Sequence, residues 1–448
     1  MNMSAAIVIS MPMMAGGYLT NTNQSIRFLR NPAREASVGT DGVYYNPAGV
    51  AFMNDGWHLE LDWQMVRQHR DTWSDYVVAG THLFAMNKER PTTEADGWRR
   101  KSRGMVNVPV QPSLFVAYNK DGWSLQFGSG FIGGGGSCEF ADGVASFEYL
   151  GATLGASALS AQKPPMTGYG LDTYMKGTSY DLGLSLAAAR RVTKDLSVSA
   201  GLRGVFAINR YEGYLENIRV SSGQTDVSLT DMRLRLDCRQ NGFGLTPMLG
   251  VDYRINKHFN VAAKYEFRTS LTVRSTSSNN AMFNRLASST PAFSGYLDGA
   301  ETRQDIPALL SVGVRYSPIE TLRVGAGYHH YFDTDTRQWF ESQTGNTNEF
   351  TLGIEYDVTK CLEVSAGCQK TIYDQTSGFH TDTNFNLDAF SYGLGIGLRV
   401  TKHLTFNASW FGSVYEDFHQ HEENAMMSKN VTYSRTNRVI GIGMELDF

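Results

Sequence analysis

The sequence predicts an all-β protein, a 14-stranded antiparallel transmembrane β-barrel whose lumen is plugged by the N-terminal segment. Three observations indicate this fold. Apolar and polar residues alternate over fourteen segments, the connections between them are alternately short and long, and a turn phrase recurs. It reads VTKDL at 192–196, VTKCL at 358–362 and VTKHL at 400–404. Because successive side chains of a strand point to opposite faces, each alternating segment is a strand with one apolar and one polar face.

The composition is that of a β-rich protein. The 448 residues include 45 glycines, with 12% aromatic and 19% charged residues, and no Pro-rich or Ser/Gly-rich linker divides them. The net charge of −4 provides no basic field for nucleic acid, so no nucleic-acid partner is expected. No stretch has the roughly 18 consecutive apolar residues of a membrane-spanning helix, so crossing a bilayer would require a closed barrel.

The first residues have the pattern of a processing segment. AAIVISMPMMAGG, residues 5–17, is a short apolar core that ends in small residues, as in a secretory signal peptide. We therefore expect residues 1–15 to be a signal peptide that is cleaved after Ala15. No Lys or Arg precedes the core, since the first basic residue is Arg27, and this favours a start codon further upstream. The alternative is a buried N-terminal strand.

Six short turns join twelve of the predicted strands in pairs. The turns lie at 119–122, 192–196, 255–258, 317–320, 358–362 and 400–404. GWHLELDWQMV (56–66) adds a strand before them and VIGIGMELDF adds one at the end, so the predicted barrel occupies 56–448. The remaining connections are long and polar, at roughly 67–105, 133–178, 211–240, 275–303, 334–347, 375–386 and 417–432.

Short turns on one side and long loops on the other are typical of bacterial outer-membrane barrels, whose tight turns are periplasmic. The terminal Phe448, preceded by alternating apolar residues, resembles the C-terminal signal that the barrel-insertion machinery reads. We therefore predict the outer membrane of a Gram-negative bacterium as the location. The alternative is a soluble β-sandwich or propeller, which would not need this asymmetry.

The polar strand faces predict the lining of the lumen. They carry charges at Glu60, Asp62, Arg203, Lys264, Glu266, Arg268, Arg315, Arg323, Glu355, Glu363, Arg399 and Glu445. They also carry glycines at Gly313, Gly325, Gly327, Gly353, Gly367, Gly393, Gly395, Gly397, Gly441 and Gly443. Glycine inside a strand often marks a close backbone approach. A bulky element should therefore fill this space, and residues 16–55 are the segment left over. The charges either hold that segment or form ordinary salt bridges within the lumen.

A motif in this leftover segment is informative. GTDGVYYNPAGVAFM (39–53) leads into the first strand, and its core is Asn46, Pro47, Ala48 and Gly49. By itself this core indicates only a turn. Placed between a signal peptide and fourteen strands, it resembles the FadL/TodX family of outer-membrane transporters of hydrophobic compounds. The resemblance implies that residues 16–55 are a hatch, and that the chain takes up long-chain fatty acids or similar molecules passively.

The resemblance also directs attention to the third strand. In that family the hatch motif lies near a kink in this strand, where the ligand leaves sideways into the membrane. Here GWSLQFGSGF is followed by four consecutive glycines, Gly133, Gly134, Gly135 and Gly136. Four glycines support strand pairing poorly, so we predict a lateral opening at this point. The alternative is a flexible outer loop.

Two outer loops are unusually apolar and are predicted to capture the ligand. Their candidate residues are Phe147, Tyr149, Leu150, Leu154, Met282, Phe283, Leu286 and Phe293. The alternative is that these loops simply pack on each other. For a ligand with a carboxylate, the candidate cations on inward faces are Arg203, Lys264, Arg268 and Arg315. Fatty acids, aromatic hydrocarbons and haem-like molecules all remain open as ligands.

Other chemical signals are weak. HQHEE (419–423) could bind a metal, but a solvated loop is favoured, and we expect no metal and no cofactor. Cys138 and Cys238 fall in predicted outer loops and could form a disulfide. His329 and His330 are adjacent on one strand, so they should face opposite sides. No local motif indicates catalysis, so no enzyme is predicted.

The expected partners are a hydrophobic small-molecule ligand, outer-membrane lipid and lipopolysaccharide, and the barrel-insertion machinery, with the protein itself a monomer. Two other functions stay open. One is a general or substrate-specific porin for polar solutes. The other is an outer-membrane enzyme or adhesin that uses its loops.

Overall fold

The structure is a computed structural model of the chain, and it describes residues 22–160, 166–223, 226–229, 231–337, 344–425 and 427–448. The predicted signal peptide lies outside these ranges. Within them, no helix has both the length and the apolar character needed to cross a membrane.

Fourteen antiparallel strands, three of them interrupted, form one closed sheet. They are β1 (Gly56–Val78), β2 (Arg100–Lys120), β3 (Trp123–Phe140), β4 (Gly168–Arg191), β5 (Leu196–Ser221), β6 (Leu234–Arg254), β7 (Phe259–Glu266 and Thr272–Ser277), β8 (Glu301–Arg303 and Ala308–Ile319), β9 (Leu322–Phe332), β10 (Thr347–Asp357), β11 (Leu362–Ile372), β12 (Ala389–Arg399), β13 (Leu404–Tyr415 and Phe418–Glu423) and β14 (Met427–Asp447). Each strand pairs with the next. The last strand, β14, pairs with β1 and closes the barrel, with His58 opposite Asp447 and Val78 opposite Met427. The predicted strand number and closure are confirmed.

The described ranges contain six α-helices. They are α1 (Ile26–Arg30), α2 (Gly42–Tyr45), α3 (Pro47–Val50), α4 (Ala145–Ser160), α5 (Ala281–Ser289) and α6 (Pro291–Ser294). Three belong to the N-terminal segment and three to the long loops. Short strands at Thr81–His82 and Asp226–Leu229 extend the sheet in two of these loops.

The outer face of the wall is apolar, as the alternation predicts. Along β1, Trp57, Leu61 and Trp63 are about half exposed, whereas Glu60 and Asp62 between them are buried. The same alternation recurs around the barrel, which therefore presents an apolar belt to its surroundings. Such a belt on a closed barrel is the surface that contacts lipid in the bacterial outer membrane.

The strands are longer than the sequence pattern indicated. β1 continues to Val78 and β2 begins at Arg100, although 67–105 was expected to be a loop. Beyond the apolar belt both faces of a strand meet water or other protein, so the alternation that marks a lipid-facing strand is lost there. The barrel wall therefore rises well above the belt on the side of the long loops.

The N-terminal segment, described from residue 22, lies inside the barrel. α1 contacts β12, β13 and β14, and α3 contacts β4, β5 and β6. The glycines of the predicted belt lie against it. A methyl group on Gly393 would overlap the carbonyl oxygen of Leu29, and one on Gly367 would lie 2.6 Å from Cδ of Pro32. These glycines make room for the segment, because a larger residue at Gly393 would collide with its backbone and one at Gly367 would collide with the Pro32 ring.

Buried ion pairs join the segment to the wall. Arg27 makes a bidentate contact with Glu445, with distances of 2.5 and 2.6 Å. Arg34 donates to Asp41 within the segment at 2.8 Å and to Glu355 of β10 at 2.7 Å. Burial lowers the pKa of Arg34, but the Asp41 and Glu355 carboxylates raise it further, so the net pKa is above the ordinary value. The segment is thus held by charge as well as by shape.

The substitution Gly393→Ala tests the close contact. We expect the barrel to fold but α1 to be displaced, at a cost of about 1–3 kcal/mol for forced overpacking. Limited proteolysis of the purified protein would then cleave residues 22–55 faster than in the wild type. Gly204→Ala is the control, because its methyl group would meet only the side chains of Phe243 and Phe206 at 3.3 Å or more. Equal protection of the segment in both variants would contradict the prediction.

Candidate functional site

The wall has a gap between β2 and β3. The two strands pair at Val106 opposite Cys138 and again from Leu114 opposite Ser129, with no ladder between those points. β3 is irregular there on its other side too, because its register with β4 shifts on both sides of Gly133. Gly134 and Gly136 have positive φ angles of 87° and 73°, a conformation that favours glycine. The predicted lateral-opening residues, Gly133 to Gly136, therefore lie at this gap, within β3 and not beyond its end.

The N-terminal segment bonds to the edges of the gap. Gln24 donates through Nε2 to the carbonyl of Phe131 on β3 at 2.8 Å. Ser113 on β2 donates through Oγ to the carbonyl of Gln24 at 2.5 Å. One residue of the segment therefore supplies hydrogen bonds that the interrupted ladder does not, and this joins the position of the segment to the gap.

A cavity of about 160 Å³ connects the segment, the gap and the upper lumen. It is lined by Asn23 and Phe28 of the segment and by Val108, Phe131 and Gly133–Gly136 of the gap. Further up, its lining includes Glu349, Phe411, Tyr415 and Arg435. The lining is partly apolar and partly polar, so the cavity suits a molecule with both characters.

The predicted hatch motif forms a buried turn. Asn46 accepts a hydrogen bond from the amide of Gly49 at 3.1 Å and so caps α3, where Pro47 occupies the first turn. The side-chain amide of Asn46 donates to Asp252 of β6 at 2.5 Å. Asp252 also accepts from Asn260 of β7 at 3.0 Å. The motif thus fixes one end of the segment to the barrel wall.

The predicted capture residues come together in the outer loops. α4 carries the first four and α5 and α6 carry the others, and Phe283 packs edge-on against Phe293 with ring centroids 5.9 Å apart. Five of the eight line a small apolar pocket of about 30 Å³ between these helices and the tops of β5 and β6. These five are Phe147, Leu150, Phe283, Leu286 and Phe293. Tyr149, Leu154 and Met282 pack against the same apolar cluster from outside the pocket.

The four predicted carboxylate-binding cations do not form one site. Arg203 makes ion pairs with both oxygens of Glu266, at 2.6 and 3.2 Å, and Lys264 binds the same carboxylate at 2.7 Å. Lys264 also donates to the carbonyl of Tyr44 at 2.6 Å. Both cations share this one carboxylate and also contact the N-terminal segment, since the Arg203 guanidinium lies 5.0 Å from the centre of the Tyr44 ring.

Arg268 and Arg315 lie elsewhere. Arg268 is exposed and lies 3.9 Å from Asp305, while Arg315 is partly buried on β8. The alternation of faces along a strand predicted that all four cations point inward. It cannot show which carboxylates the closed barrel places beside each of them.

The loop between β11 and β12 folds into the lumen, a feature that the sequence did not indicate. Residues 379–387 of this loop are buried, although the connection was expected to be long, polar and exposed. His380 packs against the rings of Phe418 and Tyr433, at 4.1 and 5.7 Å between centroids. Burial, with a smaller effect of Lys429, lowers the pKa of His380 to about 4.

Two further predictions concern the cysteines and the adjacent histidines. Cys138 and Cys238 are free, buried thiols on β3 and β6, so the suggested disulfide is wrong, because the strands continue where loops were expected. His329 is buried against Glu35 and Glu349, whereas His330 contacts Tyr328, so the two face opposite sides as predicted. Across the described ranges, no three His, Cys, Asp or Glu side chains are arranged to hold a metal ion.

Taken together, the closed wall, the apolar belt and the occluded lumen define a plugged β-barrel of the bacterial outer membrane. No protein-family model and no curated protein matches the sequence. Solved structures do match the fold. A FadL homologue of Pseudomonas aeruginosa superposes with a TM-score of 0.68 at 14% identity, covering 96% of this chain and 99% of that chain.

Two toluene transporters have the same architecture. TbuX of Ralstonia pickettii gives a TM-score of 0.53 at 15% identity, covering 93% of this chain and 98% of its own. TodX of P. putida gives 0.55 at 14% identity, covering 92% and 94%. The chain therefore has the fold of the FadL/TodX transporters over nearly its whole length, and the resemblance predicted from the motif is confirmed at the level of the fold.

The buried His380 predicts a pH dependence of the inward-folded loop. The pKa of His380 in the inward-folded loop, about 4, is below the ordinary value near 6.5. The inward-folded loop therefore disfavours protonation of the imidazole. The inward-folded conformation therefore has its full stability above about pH 6.5, and its free energy relative to an unfolded loop falls by up to about 3 kcal/mol as the pH falls toward 4. Hydrogen exchange of residues 379–387, corrected for intrinsic rates, should accelerate over that window. His380→Phe is the control, in which the same exchange should stay independent of pH.

Proposed function

We propose that this protein takes up hydrophobic small molecules passively across the outer membrane. The observation that carries the proposal is the cavity that reaches from the N-terminal segment to the gap in the wall. A porin needs an open, polar bore. In this barrel residues 22–55 fill the lumen, and buried ion pairs hold them to the wall. A cavity that ends at the side of the barrel suits a solute that enters the bilayer.

The first step is capture at the outer loops. The pocket between α4 and α5 is lined by Phe147, Leu150, Leu215, Phe283 and Phe293. These side chains are buried against one another, and the pocket between them is apolar, as ligand pockets usually are. The pocket is small because the loops also pack on each other, so the helices would have to part for a long chain to enter. The neighbouring structures whose names include toluene transport, TbuX and TodX, support a ligand of apolar chemistry.

The second step is passage into the lumen cavity and exit through the gap. The N-terminal segment acts as a hatch, because Gln24 bonds to both edges of the gap. A small displacement of the segment would release Phe131 and Ser113 together and widen the opening. An apolar solute gains roughly 25 cal/mol per Å² of surface when it leaves water for lipid, so sideways exit is downhill.

The partners follow from this route. The apolar belt contacts membrane lipid, and the loop side of the barrel faces lipopolysaccharide. The proposal requires one chain only, since capture, passage and exit all lie within one barrel. Aromatic hydrocarbons are the ligand class that the neighbours' names support, and long-chain fatty acids are the class that the resemblance of the hatch motif implies.

Filling the gap tests the route. Val108 lines the cavity and is buried, so Val108→Trp should obstruct the opening and reduce uptake of oleate or toluene into proteoliposomes by about tenfold or more. Val110→Trp is the matched control on the same strand, because Val110 is 52% exposed on the outer face. This control should transport like the wild type.

Two further measurements separate the alternatives. Deleting residues 41–50 should abolish hydrophobic uptake, because it removes α2 and the Asn46 motif. Planar-bilayer recordings of the wild type should show little ion conductance. High conductance without hydrophobic uptake would favour a porin, and unchanged uptake in Val108→Trp would argue against the side exit.

A further inference from the structure

Three arginines form a row on the outer face of the wall, on the neighbouring strands β5, β6 and β7. Arg210 lies directly opposite Arg239 in the ladder between β5 and β6. Arg274 of β7 lies opposite Asn241, the next outward-facing residue of β6 toward the tight turns. All three arginines are exposed. Because neighbouring strands lie about 4.8 Å apart, the three residues belong to one patch about 10 Å wide.

The row lies immediately above the apolar belt, on the side of the long loops. On β6 the belt extends from Phe243 to Tyr253, and both of these side chains are about half exposed. This span corresponds to about 34 Å along the strand and to about 26 Å of height at a tilt of about 40°. An outer-membrane barrel has an apolar belt about 25 Å tall with aromatic residues at both edges. The arginines, one or two outward positions above Phe243, therefore lie where the head groups of the outer leaflet begin.

Two of the three cations have no countercharge among the described residues. The guanidinium groups of Arg239 and Arg274 form neither an ion pair nor a hydrogen bond with another described side chain. Glu301 is opposite Arg274 on β8, but the two do not come within ion-pair distance. Arg210 binds Glu212 at 2.6 Å, and water screens this pair because both side chains are partly exposed. The row therefore carries a net positive charge.

This arrangement is unfavourable for the protein by itself. Arg210 and Arg239 are like charges directly opposite each other, and such pairs destabilise a sheet. Two carboxylates of the same face, Glu212 and Asp237, are opposite each other one outward position higher, on the loop side of the row and away from lipid. An anion that approaches from the lipid side would therefore relieve the repulsion between the arginines.

The wall below the row indicates what kind of anion fits. Phe206 of β5 and Phe243 of β6 pack with their ring centroids 5.0 Å apart, and Ile208 and Leu245 beside them are about half exposed. A ligand of this surface needs acyl chains for the wall and an anionic head for the arginines. Guanidinium groups bind phosphate oxygens through parallel hydrogen bonds, and basic clusters beside an apolar membrane surface are typical sites for lipid phosphates.

We propose that Arg210, Arg239 and Arg274 bind the phosphate groups of lipid A, the membrane anchor of lipopolysaccharide, while its acyl chains lie on the wall below. Lipid A carries two phosphates on a disaccharide head, which matches several cations spread over about 10 Å. A phospholipid with a single phosphate would engage only part of the row. The inference goes beyond the proposed uptake function and does not depend on it, because the site lies on the outer face and not in the lumen.

Binding of lipid A to the purified full chain tests the proposal. Another outward pair, Arg67 and Arg438, lies at the seam of β1 and β14. Every protein tested therefore carries Arg67→Gln and Arg438→Gln, and this background leaves the row as the site under test. Native mass spectrometry in detergent gives the dissociation constant. Adding Arg239→Gln and Arg274→Gln should weaken binding of bisphosphorylated lipid A by about tenfold or more, because charge-assisted hydrogen bonds are lost.

Arg235 provides a matched control on the same strand and face. It lies two outward positions above Arg239 and already binds Glu216 at 2.8 Å. Arg235→Gln combined with Arg285→Gln, an exposed residue of α5, removes the same charge and should leave lipid A binding unchanged. Toluene uptake should be the same in both variants, which separates this test from that of the uptake function.

Thermal unfolding distinguishes lost binding from a damaged fold. Without lipid A, the Arg239→Gln, Arg274→Gln protein should unfold at no lower a temperature than the background, because the substitutions remove repulsion. Added lipid A should raise the unfolding temperature of the background and not that of this variant, since a ligand stabilises the fold that binds it.

Several results would overturn the inference. Equal affinity for lipid A with and without Arg239→Gln and Arg274→Gln would show that the row does not bind it. Equally tight binding of phosphatidylglycerol would show that the row attracts any anionic lipid. Displacement of lipid A by inorganic phosphate at equal concentration would indicate a site for small ions. An equal loss of binding in Arg235→Gln, Arg285→Gln would indicate a general effect of charge.

Discussion

A backbone amide that faces lipid has no water to bond with, so the wall of this barrel must close on itself. Closure fixes the rest of the design. One face of every strand becomes apolar and the other turns inward. Carboxylates such as Glu355, Glu363 and Glu445 are therefore buried in the lumen, where little water can solvate them. The N-terminal segment supplies the missing cations, and Arg30 and Arg34 are almost fully buried against these acids. Wall and segment therefore require each other, because separating them would leave charges buried and unpaired.

The same constraint explains the contacts at the gap. Where β2 and β3 stop pairing, their backbone groups need other partners, and burial makes unpaired groups expensive. Gln24 meets part of this need by bonding to both sides. An opening in the wall is thus stable only while the segment occupies its place beside it. Under the proposed function, a ligand in the adjoining cavity that shifts the segment would therefore also change the wall at the gap.

Much of this architecture could be predicted from the sequence, because lipid imposes a strict alternation and because glycines such as Gly393 serve no purpose in a strand unless something lies against them. The outer segments of the strands could not be predicted, because both of their faces meet water or other protein and the apolar–polar alternation is lost there. The helical loops and the buried residues 379–387 depend on packing between distant segments. Parity along β1 and β14 does turn Arg70 and Arg435 inward, but only the register of the closing seam shows that the two residues lie opposite each other.

The distribution of charge also divides the N-terminal segment into two parts. Arg27, Arg30 and Arg34 each meet a carboxylate of the wall, so moving that part of the segment would break buried ion pairs. At the gap the segment bonds to the wall through Gln24, and a typical hydrogen bond contributes only about 0.5–1.5 kcal/mol. The part of the segment beside the gap is therefore the part whose displacement costs least.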